Sequence, residues 1–252
     1  MTDATLESNT VIDTFVEFLI VAIHQILQGL NIYPTNTFIL TAKYNLIVYQ
    51  NRHLRVCDYI NRTTTAVHRE ILSGTVKRIN VVTFVQDSPR EQFVFDITPF
   101  FQHGSETTVM EANAEQEMFS VDVEQQLRGV LSKLKNHCNS LEPSNDRKTF
   151  RIIIEKDRDS VLGSGSEEQW EDVPNTLVST GCPVGERATN MVEIRSVQAG
   201  RLVFALWYEP ARTPSQPSSY TSGQPLVFDG STSHASSDIY GTFPSTQTGL
   251  DE

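Results

Sequence analysis

The stretch Asn9–Pro34, NTVIDTFVEFLIVAIHQILQGLNIYP, limits what this chain can fold into more than any other. Val11, Ile12, Phe15, Val16, Leu19, Ile23, Ile26, Leu27 and Leu30 recur at helical spacing, and Phe18, Ile20, Val21 and Ala22 fill much of the remaining circumference. A helix apolar on nearly every side either spans a membrane or forms the buried spine of a domain. A span needs roughly 18 or more apolar residues with few charges. Here Asp13, Glu17 and the His24–Gln25 pair interrupt the run, and its unbroken apolar part, Phe18–Ile23, is short. Asp3 and Glu7 make the amino end acidic, unlike the basic opening of a secretory signal. The expectation is a buried spine covered on several sides, which points to layers of helix and sheet.

The ends of this helix are also marked. Thr10 to Asp13 fits an N-terminal cap, with a hydroxyl for free backbone N–H groups and a carboxylate in the positive first turn. Gly29 suits the left-handed position after the last turn, and Pro34 bars continuation.

The remaining pattern predicts mixed elements. Lys43–Gln50 reads as a short strand, and His53–Leu72 as a second helix with Val56, Ile60, Thr64, Val67 and Ile71 on one stripe and Gly74 as its stop. Ile79–Val85 and Gln92–Ile97 form a hairpin about the turn residues Asp87, Ser88 and Pro89. A third helix runs near Ser120–Asn139 on Val123, Leu127, Leu131 and Leu134, followed by a β-branched strand over Thr149–Glu155. Asp157–Thr189 is rich in Gly, Ser and Glu and sets Trp170 among acidic residues. Strands Met191–Val197 and Arg201–Tyr208 then turn at Gly200. From Thr213 onward no Lys or Arg occurs, and Ser, Thr, Gly and Pro dominate. Such a composition buries too little apolar surface to offset its ordering entropy, so a disordered tail is expected.

Signals for chemistry are missing. The formal net charge of −11 argues against a dedicated nucleic-acid surface, which would carry a basic face. Cys57, Cys138 and Cys182 form no C-x-x-C pair, so neither a zinc site nor a disulfide framework is implied, and a reducing compartment fits. Gly163-Ser-Gly165 lacks the following helix of a phosphate loop, and no G-x-S-x-G or H-E-x-x-H occurs. The six histidines show no metal-ligand spacing, and His24 reads as a hydrogen-bonded core or boundary residue. Cys57 on an apolar stripe reads as a small packed hydrophobe rather than a nucleophile. No catalytic role, metal or cofactor is expected.

Several words of the sequence resemble the HORMA-domain family. They are Phe15-Val-Glu-Phe-Leu-Ile-Val-Ala-Ile-His-Gln-Ile-Leu27, Ile32-Tyr-Pro34, Lys43-Tyr-Asn45, Phe93-Val-Phe-Asp-Ile97 and Val123-Glu-Gln-Gln-Leu-Arg128. The spine words are similar to the branch of non-catalytic accessory subunits of DNA polymerase zeta, and the spindle-checkpoint branch ranks second. The resemblance implies an α+β HORMA fold, three helices packed on a mainly antiparallel β-sheet with a C-terminal safety belt that encloses a partner's extended peptide. The implied organisation is an N-terminal extension over 1–9, a HORMA domain over 10–210 with the belt at about 157–208, and a disordered low-complexity tail over 211–252.

The resemblance also implies roles and partners. Tyr59, Trp170 and Met191 match positions that contact the partner peptide, and Arg128 matches one at a HORMA–HORMA dimer surface. Read from the residues alone, Tyr59 could equally be half-buried helix packing and Arg128 a solvated flank. The implied partners are the catalytic subunit of DNA polymerase zeta, a translesion scaffold polymerase and a HORMA homo- or heterodimer, in the nucleus, without direct nucleic-acid or membrane contact. The alternative is an adaptor of the spindle-assembly checkpoint capturing checkpoint or anaphase-promoting-complex factors.

Overall fold

The computed structural model describes residues 2–102, 114–142, 144, 146–156, 170–172, 191–210 and 225–228. Helix α1 (Thr2–Gly29) is the spine. By length and hydropathy Thr10–Gly29 could cross a membrane, but 72% of that window is buried inside the protein, so the apolar circumference is spent on packing. The helix starts eight residues earlier than the expected cap, since no breaker separates Thr2 from Thr10. Thr10 is therefore interior, and its carbonyl accepts from the Thr14 hydroxyl at 2.8 Å.

The other end also differs from expectation. The left-handed residue is Asn31 (φ 53°), not Gly29. The Ile32 N–H donates to the Leu27 carbonyl and the Asn31 N–H to that of Gln28, which is a Schellman turn with Ile32 and Leu27 as its buried apolar pair. Gly29 serves closeness instead. A Cβ there would lie 2.5 Å from the Cβ of Cys138, so its lack of a side chain lets two helices touch.

The expected single strand at Lys43–Gln50 is a hairpin, β1 (Phe38–Lys43) with β2 (Leu46–Asn51), turning at Tyr44 and Asn45, both left-handed. Helix α2 (Leu54–Leu72) follows, closed by Gly74 at φ 71° as expected. Strands β3 (Val76–Val85) and β4 (Ser88–Asp96) form the second hairpin. Its turn is two residues, Gln86 and Asp87, both at positive φ, which matches the twist of the flanking strands. Ser88 and Pro89 thus belong to β4. Pro89 costs no ladder bond on the far side, because the neighbouring strand pairs with β4 only from Glu91 onward.

A short helix α3 (Thr98–Gln102) precedes the third long helix, α4 (Ala114–Ser140), and then β5 (Lys148–Lys156). Strands β6 (Trp170–Asp172), β7 (Val192–Ala199), β8 (Leu202–Pro210) and β9 (Pro225–Phe228) complete the described chain. Seven strands make one sheet in the order β6-β9-β5-β3-β4-β8-β7, antiparallel at every junction. The three-helix α+β architecture is as expected. The tail was expected to be disordered throughout. Most of 211–252 lies outside the described residues, but Pro225–Phe228 pair as a strand of the sheet.

Helix α1 lies between α2 and α4 and presses on the sheet. Phe15 and Phe18 meet Phe204 of β8 edge-on or tilted at 5.2 and 5.3 Å, and Phe18 meets Phe95 of β4 at 6.4 Å. These rings are fully buried. Each contributes about 1.5–3 kcal/mol by leaving water, so the spine and sheet centre form the nucleus on which the edges are hung.

Candidate functional site

The site is assembled at one margin of the sheet. Strand β5 pairs by its inner edge with β3, from Lys148↔Val85 to Lys156↔Val76. Contacts at both ends of α2 fix its course along β5. Tyr59 stacks edge-on against Phe150 at 5.5 Å, and its hydroxyl accepts from the Ile152 N–H at 3.4 Å. Three turns later, Glu70 holds Lys156 at 2.7 Å with both side chains buried (5% and 7% exposed). Tyr33, placed by the Schellman turn of α1, also meets Phe150 edge-on, at 6.4 Å. An aromatic trio and a buried ion pair therefore line the helix side of β5.

The outer edge of β5 carries a short ladder. Ile153, Ile154 and Glu155 pair with Val227, Leu226 and Pro225 of β9. On its far side β9 pairs with β6, Trp170 opposite Phe228 and Asp172 opposite Leu226. The strand from the tail is thus held on both edges, between the core strand and the strand that bears Trp170.

The reverse face of the sheet beneath this edge is polar. Glu155 accepts from Arg78 at 3.2 Å and from Asn80 at 2.8 Å, and Arg78 also reaches Asp96 at 3.6 Å. Burial raises the Glu155 carboxyl above its ordinary range, and the Arg78 charge opposes that shift without cancelling it. These bonds fix the rotamers beneath β5, beside the irregularity in the β3–β5 register between Val76 and Arg78.

The placement separates the expected site residues into two groups. Tyr59 on α2 and Trp170 in β6 belong to the β5 margin. Met191, half-buried, directly precedes β7 at the opposite end of the strand order, and Arg128 is exposed on α4, the helix that packs against β7. Tyr33 and Phe150 were not singled out as site residues. Ile32-Tyr33-Pro34 drew notice only as a word, and Phe150 only as part of a strand.

The described residues of this margin present no group poised for bond chemistry. Among the described residues no three His, Cys, Asp or Glu side chains converge as a metal site. Burial and the Asp58 carboxylate push the Cys57 thiol up, and it donates to the Asn51 carbonyl at 2.9 Å, which makes it a packed donor. A cleft of about 260 Å³ opens between Gly29, Cys138, Leu141 and Lys148. Burial pushes its thiol, Cys138, up to about 12, and its lysine is held by Glu91 at 2.9 Å. What the β5 margin offers is backbone pairing, flanked by aromatic faces.

No family model matches the chain. It is similar to the DNA polymerase zeta processivity subunit of Schizosaccharomyces pombe, 28% identical over 205 residues that cover 79% of this chain and 92% of that protein. It is also similar to the mitotic spindle assembly checkpoint protein MAD2B of Danio rerio, 27% identical over 79% of this chain and 90% of that one. Among solved structures, a chain of a mitotic checkpoint complex superposes with a TM-score of 0.56, at 15% identity, over 88% of this chain and 96% of that one. Caenorhabditis elegans HTP-2 bound to an HTP-3 closure motif superposes at 0.55, at 17% identity, over 82% of this chain and 86% of that one.

The chain is similar to HORMA-domain proteins in sequence and shares their fold. The fold, the spine words Phe15–Leu27 and near full-length likeness to the two relatives agree on it. Its likeness to these relatives supports an adaptor rather than an enzyme.

Proposed function

We propose that this HORMA-fold protein is the accessory subunit of a DNA polymerase zeta, working in the nucleus in translesion synthesis. It captures an extended segment of the catalytic subunit as an added strand on the outer edge of β5 and bridges that subunit to a translesion scaffold polymerase. The observation that carries the reading is the β5 margin, where Tyr59, Phe150 and Tyr33 flank an edge able to take a strand. Main-chain bonds would supply affinity and the flanking side chains selectivity. The likeness to the yeast processivity subunit supports the polymerase as the source of that segment. In this reading Tyr59 and Trp170 touch the captured segment, and Arg128 faces a second HORMA copy.

Calorimetry with a peptide from the catalytic subunit tests it. Tyr59→Ala combined with Trp170→Ala lowers affinity about a hundredfold, since aromatic anchors at such interfaces are worth ~1–2 kcal/mol or more each. Unchanged affinity refutes the assignment. The checkpoint likenesses support a second reading, an adaptor that captures checkpoint or anaphase-promoting-complex factors. Purification of the endogenous protein separates the two, by polymerase subunits in one case and checkpoint components in the other.

A further inference from the structure

Helix α2 carries a row of arginines beside the tyrosine of the β5 margin. Arg55, Arg62 and Arg69 recur at heptad spacing, and all three are exposed. Arg55 and Arg62 stand one helical turn before and one after Tyr59, so they share its side of the helix. Helix and strand run side by side in one direction, with Tyr59 at Ile152 and Glu70 at Lys156. A different flank of α2 meets the spine, through His68 and Asp13 at 2.8 Å. The row therefore follows β5 on the flank turned away from α1.

This row is out of character for the chain. The formal net charge is −11, yet between Arg52 and Leu72 the exposed charged residues are Arg52, Arg55, Arg62 and Arg69 against Asp58 alone. Glu70, the other acid of that stretch, is buried and held by Lys156. The Arg62 Nε donates to the Asp58 carbonyl at 3.4 Å, a bond that cancels no charge. Helix stability does not account for the pattern either. The first turn of α2 holds no acid, and Arg52 and Arg55 bring positive charge to the end where the helix dipole is already positive.

We propose that Arg55, Arg62 and Arg69 select for acidic residues in the segment this protein captures, drawing carboxylates along α2 while the backbone pairs at the β5 margin. The inference rests on the reading that an extended segment binds at this margin.

The dimensions agree. Seven helical residues rise about 10.5 Å and a strand about 3.3 Å per residue, so an extended segment beside α2 passes a guanidinium roughly every three residues. The row spans about 21 Å, or about six residues of such a segment. Exposed Arg–carboxylate pairs are worth about a factor of two each, so three together set a preference of about tenfold. Charges at a rim act chiefly on encounter and are screened by salt. A DNA backbone is the other polyanion to consider. The net charge of the chain repels it at a distance, and the N–H and C=O groups of a strand edge match a peptide rather than a sugar–phosphate chain.

The test uses the full chain. Overlapping labelled peptides of about fifteen residues, longer than the row, cover the catalytic subunit of DNA polymerase zeta in one set and the checkpoint factors in a second. A single-stranded oligonucleotide is a further probe. Binding is read by fluorescence anisotropy to wild type and to a variant carrying Arg55→Glu, Arg62→Glu and Arg69→Glu. The best peptide is expected to hold two or more Asp or Glu, to bind the variant about tenfold more weakly, and to recover most of that loss with Lys at the three positions. On the unmodified protein, raising salt from about 50 to about 300 mM is expected to weaken the same peptide severalfold, mostly through slower association. A best peptide without acidic residues, equal affinity for wild type and variant, or an affinity indifferent to salt overturns the proposal. So does an oligonucleotide that binds more tightly than any peptide and is lost in the variant. The two readings fail separately. A polymerase peptide held alike by wild type and variant sinks the selection by arginine and spares the proposed function. Arginine-dependent capture of acidic checkpoint peptides, with no polymerase peptide bound, does the reverse, and silence of every peptide overturns both.

Discussion

His24 sits in the middle of the spine, 4% exposed, where its Nδ1 accepts the Asn51 N–H at 3.4 Å. Burial lowers its pKa from 6.5 to about 4, so the folded protein keeps the ring neutral while the unfolded chain takes up a proton below 6.5. Stability from this group is therefore complete above pH 6.5 and is lost as pH falls toward 4, by about 3 kcal/mol in total. Urea titrations at stepped pH are expected to show that slope, and His24→Gln to flatten it. Glu155 contributes with the opposite sign, since its raised pKa means stability lost as pH rises through it; the difference between wild type and His24→Gln isolates the histidine. At this scale the sequence was legible where a residue's neighbours are close in the chain. That His24 belongs to the core or its boundary follows from the helical stripe around it. That Gly29 abuts Cys138, 109 positions away, does not, because a left-handed stop and a close helix crossing both ask for glycine.

The elements were legible in their periodicity and less so at their turns. The stripes of α1, α2 and α4 and the β-branched run of β5 announce themselves. Both tight turns escape a linear reading for one reason, that Tyr44-Asn45 and Gln86-Asp87 lack the glycine that usually marks left-handed pairs. In the first case a hairpin read as one strand, and in the second the nearby Pro89 drew the turn toward itself. The alignment of α2 with β5 could not be read at all, since it depends on Glu70 finding Lys156 across the fold. That pair sets a prediction for the element. Glu70→Ala leaves a buried ammonium without its partner and is expected to cost about 3–5 kcal/mol in urea unfolding, while Glu70→Leu with Lys156→Met recovers most of the loss.

Across the whole molecule the sheet has two unlike ends. One carries β5, β9 and β6 beside Tyr59; the other carries the β7–β8 hairpin, which Arg195 fastens to α4. Its guanidinium donates to Gln126 at 3.0 Å and lies over Gly129, where a Cβ would meet Nη1 at 2.8 Å. Arg195→Ala is expected to lower stability by about 1 kcal/mol and to speed hydrogen exchange in Val192–Pro210, leaving Ile152–Glu155 unchanged. Tyr59 and Trp170 lie toward one end of the sheet and Met191 and Arg128 toward the other, a separation no linear reading contains.

The antiparallel register at the β5 edge has a mechanical corollary. A segment zipped lengthwise onto that strand, when tugged from its free end, loads every rung together in shear instead of peeling them one after another. Such a grip yields readily to a rival that frays it from the tip, yet holds against a load drawn along the strand.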